Sequence, residues 1–242
     1  MPTVDKEFQR PPLPRVRHHV SPQIYLPIDR QFHVPDWYPP VIEAASWSEW
    51  FLRGGAPTVL DIGCGRGRML LDYAASRPDL QILGLEIRKP LVEWISTVIH
   101  GESLPNAAAL WYSVANGLDF IEAGSIDHAF YLFPDPWPKK RHVKRRAFTP
   151  SFVNMVFRVL RDDGFLYLAT DRPDVDAWQL SILQESGLFD VEDVTDDAMW
   201  PHSFITDQQD FCHRKGIPYV RRRARKRSGI VLPFSHSHQP LR

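Results

Sequence analysis

Cysteine is nearly absent from this chain. Cys64 and Cys212 are the two, and they supply neither a disulfide framework nor a paired metal-ligand spacing. No apolar run approaches the roughly 20 residues that a membrane span requires. The N-terminus, MPTVDKEFQRPPLPRVRHH, lacks the apolar central region of a secretory signal. These absences point to a cytoplasmic protein with no membrane association and no metal site. Net charge is also missing: 29 Lys and Arg balance 29 Asp and Glu. A neutral total argues against binding nucleic acid by bulk attraction. No internal repeat is evident.

What is present is uneven. Six of the eight residues 139–146 and six of the seven residues 221–227 are Lys or Arg, whereas five of the eight residues 190–197 are acidic. A phosphate backbone responds to such local patches, not to the average. The length of 242 residues, with 43% hydrophobic residues, suits one substantial domain with arms. The expected division is an irregular, proline-rich N-terminal arm over residues 1–40, a domain over 41–227 and a tail over 228–242. Arg15, Arg17, His18 and His19 in the arm either touch RNA or belong to a disordered segment. A short covering helix is expected within residues 37–52.

Residues 57–62 form a short apolar strand that ends at Gly63-Cys64-Gly65-Arg66-Gly67. A helix over 68–76 and a second strand over 81–86 complete a βαβ unit, whose strands are parallel. The glycines let the backbone turn tightly beside a ligand, with exposed amides at the start of the helix. Glu86, at the tip of the second strand, is placed to accept hydrogen bonds from ribose hydroxyls. A dinucleotide fold shares that spacing, but its third glycine falls one residue later, where Arg68 stands here. Asp61 also precedes the loop directly. The pattern Asp-x-Gly-x-Gly-x-Gly with a downstream Glu resembles motif I of S-adenosylmethionine-dependent methyltransferases. That implies an α/β fold with a doubly wound, mostly parallel seven-stranded sheet. Cys64 reads as a small packing residue within the loop.

Further strands are expected at 108–114, 126–133 and 164–169, with helices at 89–100 and 175–186. Residues 189–194 and 217–223 are expected to close the sheet as a hairpin. Thr149-Pro150 supplies a helix cap with proline at the first helical position. In such folds a polar residue after the third strand, here Asn116, commonly meets adenine; a plain turn residue is the alternative. The end of the fifth strand carries Asp171, which is also suited to cap the next helix.

The fourth strand runs into Pro134-Asp135-Pro136-Trp137-Pro138 and then into the basic run 139–146. Three prolines cannot join a sheet ladder, so the strand ends in an extended turn that presents one carboxylate and one indole. In a doubly wound sheet, ligands bind outside the carboxyl ends of the strands where the strand order reverses, between the first and fourth strands. The glycine loop and Asp135 are therefore expected to share one cleft.

Pro-Asp-Pro-Trp-x-Lys-x-Arg-His-x-Lys-Arg-Arg, from Pro134 to Arg146, resembles the signature of tRNA (guanine-N7)-methyltransferases, and the similarity extends from about Val59 to Arg223. The resemblance implies methylation of guanine 46 in the tRNA variable loop. It implies that Gly63, Gly65, Gly67, Glu86, Arg88 and Asn116 hold S-adenosylmethionine, with Asp61 supporting the loop. Asp135 becomes the active-site carboxylate, and Lys139, Arg141, Lys144, Arg145, Arg146 and Asp171 face the tRNA. The family's late Thr-x-x-Glu element stands here as Thr206-Asp207-Gln208-Gln209, with an amide in place of the acid. The eukaryotic branch of the family works with a WD-repeat subunit. Trp137 is either a stacking surface for the base or a packing residue. Two rivals differ from this reading. Methyltransferases of exocyclic amino groups carry Asn/Asp/Ser-Pro-Pro-aromatic after the fourth strand, and the second of those prolines is missing here. An inactive RNA-binding module on the same fold is favoured only by Gln209.

Overall fold

A computed structural model describes residues 8–16, 21–137, 146–201 and 204–232. Seven strands form one sheet: β1 Val59–Ile62, β2 Ile82–Glu86, β3 Ala107–Trp111, β4 Ile126–Leu132, β5 Leu160–Thr170, β6 Phe189–Asp193 and β7 Val220–Lys226. Their order is β3-β2-β1-β4-β5-β7-β6. The pairings from β3 through to β5 are parallel, and β7 alone runs antiparallel to its neighbours β5 and β6. The expected doubly wound, mostly parallel sheet is present. The order reverses between β1 and β4.

Helices cover both faces: α2 Arg68–Ser76, α3 Lys89–Gly101, α4 Pro150–Val159 and α5 Pro173–Ser186. Both faces are dry, so β1 and β2 are buried at every position and read as continuous apolar runs with no alternation. Leu60, Ile62, Phe152, Val156, Ile182 and Leu183 belong to one core cluster. Val59, Leu70, Tyr73, Ile95, Val98 and Phe130 belong to the other. Phe130 on β4 stacks on Tyr167 of β5 with ring centroids 4.9 Å apart. Such pairs add to the burial of two large rings. Thr149 caps α4 by accepting from the Phe152 amide at 3.2 Å, as the sequence led us to expect.

The short covering helix expected within residues 37–52 is α1, Trp47–Trp50; Pro39 and Pro40 lack donors and keep the chain before it out of helix. One boundary needs correction. The third strand stops at Trp111, so Asn116 sits in a 3-10 turn, Val114–Asn116. The two closing strands pair antiparallel as expected, and β7 enters between β5 and β6. The helix α6, Asp207–Lys215, fills the long connection between them.

The basic run 221–227 is mostly strand β7, and its cations meet the acids of neighbouring elements. Arg222 bonds Asp176 at 2.6 Å and also pairs with Asp193. Arg221 reaches Asp197, Arg223 reaches Glu192 and Arg227 reaches Asp190. The acidic stretch 190–197 is thus the counter-charge of β7. The tail expected over 228–242 is described only as far as residue 232.

The described part of the N-terminal arm is irregular but lies against the domain. Arg10 forms a two-pronged pair with Glu102, and Trp94 donates to the Pro11 carbonyl at 2.9 Å. Residues 21–38 carry two 3-10 turns, Pro22–Tyr25 and Ile28–Arg30, and run over the carboxyl ends of the strands.

Candidate active site

The glycine loop after β1 holds its shape through three left-handed residues, Gly63, Gly65 and Gly67, with φ of 79°, 59° and 73°. At Gly67 a Cβ would also lie 2.7 Å from the Ile95 side chain. A side chain there is excluded twice, by conformation and by contact. The Gly65 amide donates to Glu86 Oε2 at 2.9 Å, which ties the loop to the tip of β2.

Glu86 is 3% exposed. Besides Gly65, it accepts from the Arg88 amide at 2.9 Å and from Arg88 Nε and Nη2 at 2.8 and 3.1 Å. Four donors occupy the roughly four acceptor positions that a carboxylate offers. A hydroxyl arriving at Glu86 must therefore take the place of an Arg88 contact. Beneath the loop, Asp61 is enclosed. Burial, and then the charge of Glu86, raise its pKa to about 8.

Asp135 stands on the far side of the cleft, beyond the tip of β4. The turn that carries it is bounded by Phe133 and Trp137, both left-handed without being glycine, at φ 48° and 39°. Each costs on the order of 1–2 kcal/mol, so the surroundings must enforce them. The Phe133 amide donates to the Ala169 carbonyl at 2.7 Å. Arg146 Nε donates to the Pro136 carbonyl at 3.1 Å, and Nη2 pairs with Asp174 at 2.7 Å. The same guanidinium lies 5.7 Å from the Trp178 ring centre and its side chain is 9% exposed. Arg146 was expected on the RNA face; here it braces the turn. Lys139, Arg141, Lys144 and Arg145 lie outside the described residues.

Gly63, Glu86, Arg88 and Asp135 line one cleft, open to solvent, with Ile62, Leu85, Tyr112, Val114 and Trp137. Asn116 does not line it. Its Oδ1 accepts from the Ile28 amide at 2.8 Å and lies 3.0 Å from the Tyr38 hydroxyl.

Asp171 lies apart from this wall and accepts from Gln208 Nε2 at 3.0 Å. Thr206 caps α6 by accepting from the Gln209 amide at 3.1 Å, one half of a capping box. Gln209 is 9% exposed and donates to the Tyr219 hydroxyl at 2.9 Å. Tyr219 packs on Phe133 with centroids 5.7 Å apart. The late element thus reaches the Asp135 turn through one aromatic ring.

The sequence reading missed the arm's part in this site. Tyr25 lines the cleft, donates to Asp135 Oδ2 and meets Trp137 edge to face, with centroids 5.1 Å apart and planes at 83°. Burial and the Asp135 charge push its pKa far above the ordinary phenol value, so it remains a donor. The available signal was the apolar cluster Ile24, Tyr25, Leu26 and Ile28. Such a cluster is uncharacteristic of a chain that stays solvated.

Residues 55–220 match the family model described as "Putative methyltransferase". A tRNA (guanine-N(7)-)-methyltransferase of Synechococcus elongatus is 34% identical over 170 residues, 67% of this chain and 73% of the relative. The chain belongs to this methyltransferase family. A relative with the same enzyme name from Alkalilimnicola ehrlichii is 38% identical over 130 residues, 53% of this chain and 55% of its own. Among solved structures, the 16S rRNA methyltransferase KamB superposes with a TM-score of 0.54 at 17% identity, covering 78% of this chain and 96% of its own. That likeness is one of fold. Among the described residues no helix is long and apolar enough to cross a membrane.

Proposed function

We propose that this protein transfers a methyl group from S-adenosylmethionine to N7 of a guanine in tRNA, at position 46 of the variable loop. The observation that carries the reading is the shared cleft. Gly63, at the start of the glycine loop, and Glu86 form one wall and Asp135 the other, at the reversal of the sheet, in a chain whose relatives bear that enzyme name.

The donor set fits the cofactor. Bound there, S-adenosylmethionine supplies a sulfonium methyl group as electrophile. Glu86 and Asp135 outnumber Arg88 in the lining of the cleft, which favours a cation. Apolar Ile62, Leu85 and Val114 offer walls for a purine. Glu86 takes ribose hydroxyls in exchange for part of its Arg88 contact. Arg88 then serves as the group that holds the Glu86 carboxylate in place.

The substrate base sits against Asp135. Guanine N7 presents a lone pair, so no proton has to be removed from it and no general base is required. Alignment of N7 with the methyl group is the main demand, and the braced, strained turn meets it by fixing Asp135. As the bond forms, positive charge spreads into the purine, and the carboxylate stabilises it. An Asp135 oxygen also accepts from the N1–H or the amino group, which adenine does not match. Lys139, Arg141, Lys144 and Arg145 supply phosphate contacts, giving affinity without base selection. Asp171 and the Thr206–Gln209 element, which lie outside the lining of the cleft, face the tRNA.

The test is methyl transfer from labelled S-adenosylmethionine to bulk tRNA, followed by nucleoside analysis, with Asp135→Ala alongside. The expected product is 7-methylguanosine, lost in the variant. A different methylated nucleoside would overturn the substrate assignment.

A further inference from the structure

Residues 21–38 form a strap that touches both walls of the cleft, and they lie outside the 55–220 match to the family model. On the β3 side the strap is fastened through its backbone. Ser113 Oγ donates to the Ile24 carbonyl at 2.8 Å, and the Ile28 amide donates to Asn116 Oδ1 at 2.8 Å. The Tyr38 hydroxyl lies 2.6 Å from the Leu26 carbonyl and 3.0 Å from Asn116 Oδ1. Ile24 is 3% exposed. These contacts fix a short piece of chain directly beside Tyr25.

On the β4 side the strap makes its contact with one side chain. Tyr25 crosses to Asp135, gives it a hydrogen bond and turns its ring against Trp137. Asp135 and Trp137 therefore face a planar ring that carries a donor at its edge. A guanine offers the same pair of features, a planar ring with an N1–H and an amino group along one edge. With Trp137 already 5.1 Å from the Tyr25 centroid, no base fits between the two rings.

We propose that Tyr25 holds the place of the target base on Asp135, and that the strap must withdraw it before an RNA purine enters. The strap is thus an access gate on the substrate side, hinged on its backbone contacts with Ser113 and Asn116. The proposal rests on the reading that Asp135 receives the base. A gate of this kind lowers apparent affinity by the fraction of molecules that are open. Removing the Tyr25 hydroxyl deletes a hydrogen bond to a carboxylate, one of the stronger neutral-to-charged contacts. The open fraction should rise by about tenfold.

The experiment compares the full-length wild type with Tyr25→Phe and Asp135→Asn. It measures tRNA Kd, steady-state KM and kcat for tRNA, and the Kd of S-adenosylmethionine. In Tyr25→Phe the tRNA Kd and KM should fall about tenfold, with cofactor affinity unmoved. Tyr25→Ala, judged by the same readouts, guards against a local repacking effect of the phenyl ring. A fall in kcat at constant KM in Tyr25→Phe would overturn the gate and make Tyr25 a positioning residue for Asp135. Unchanged Kd, KM and kcat would overturn it and leave Tyr25 as packing. If Asp135→Asn methylates tRNA at the wild-type rate, the reading of Asp135 falls first and the gate with it. If Asp135→Asn is inactive and Tyr25→Phe is silent, the gate alone falls.

Discussion

Asp61→Asn should stabilise the protein, and by an amount that grows with pH. Asp61 lies on β1 with 3% of its surface exposed. Burial and the neighbouring Glu86 raise its pKa from 3.8 to about 8. The folded state therefore holds this proton more tightly than the unfolded chain does. For a raised pKa, the favourable contribution is complete below the unfolded value and is lost as pH climbs to the folded one. Each unit costs 1.36 kcal/mol. At pH 6 the carboxylate carries a penalty of about 3 kcal/mol, and above pH 8 it levels off near 6 kcal/mol.

Asparagine keeps the shape of the side chain and removes the titration. Urea denaturation of both proteins at several pH values between 4 and 8 reads the difference directly. The two curves should nearly coincide at pH 4 and diverge by about 1 M in midpoint at pH 6, for an m-value of about 3 kcal/mol/M. Parallel curves across that range would refute the argument, because they would mean that the buried carboxylate is compensated in the folded state. The functional counterpart concerns the cofactor. A cation in the cleft favours the charged form of Asp61, so wild-type affinity for S-adenosylmethionine should rise between pH 6 and 8. Asp61→Asn should flatten that rise.

Arg146→Ala should reduce methyl transfer by about 10²-fold through loss of the Pro136 brace, with the salt slope of tRNA binding unchanged. A slope smaller by about one would instead make Arg146 a phosphate ligand. Arg222 is held between Asp176 and Asp193 at 17% exposure, so Arg222→Ala should cost about 2 kcal/mol by stranding the half-buried Asp176. Arg225 is half exposed and 3.7 Å from Asp163, and its replacement should cost under about 0.5 kcal/mol. Equal Tm shifts for the two variants would contradict this. Gly67→Ala meets both a left-handed φ of 73° and the Ile95 side chain, and should cost upwards of about 2 kcal/mol. Gly63→Ala, with φ 79° but open space around the added Cβ, should cost about 1 kcal/mol. Thermal melts of the pair check the difference.

The central βαβ unit and the Asp135 turn were legible because their signals are local. A strand buried on both faces shows as an apolar run, a left-handed loop as glycines, and a strand end as prolines. The roles of residues 221–227 and 190–197 were not legible, although both charge runs stood out. Each run has a strand-like partner far away in the chain, and only the insertion of β7 beside β6 brings them together. Arg146 misled for a similar reason. Its neighbours in sequence are cations, but its neighbours in space are the Pro136 carbonyl, Asp174 and Trp178. The strap was hidden because 3-10 turns and bonds to backbone carbonyls have no sequence period. Tyr25 therefore looked like one aromatic residue in a proline-rich arm.

The pairing of β7 also changes where an RNA must be gripped. If both basic runs met phosphates, 12 cations would be available, six from each run. With the β7 run neutralised by its acids, and Arg146 spent on the Asp135 turn, Lys139, Lys140, Arg141, Lys144 and Arg145 remain in these two runs. The expected dependence of log K on log salt follows from that number. Five phosphate contacts give a slope of about −3.5 on single strands and about −4.5 on duplex. Engagement of β7 as well would roughly double it. Filter binding or fluorescence anisotropy with tRNA from 50 to 300 mM salt separates the two cases. Replacing the five cations of 139–145 by Gln should remove most of the slope, whereas replacing Arg223 and Arg225 should leave it unchanged. A slope near −9, or one that falls when Arg223 and Arg225 are replaced, would show that RNA displaces the acids from β7.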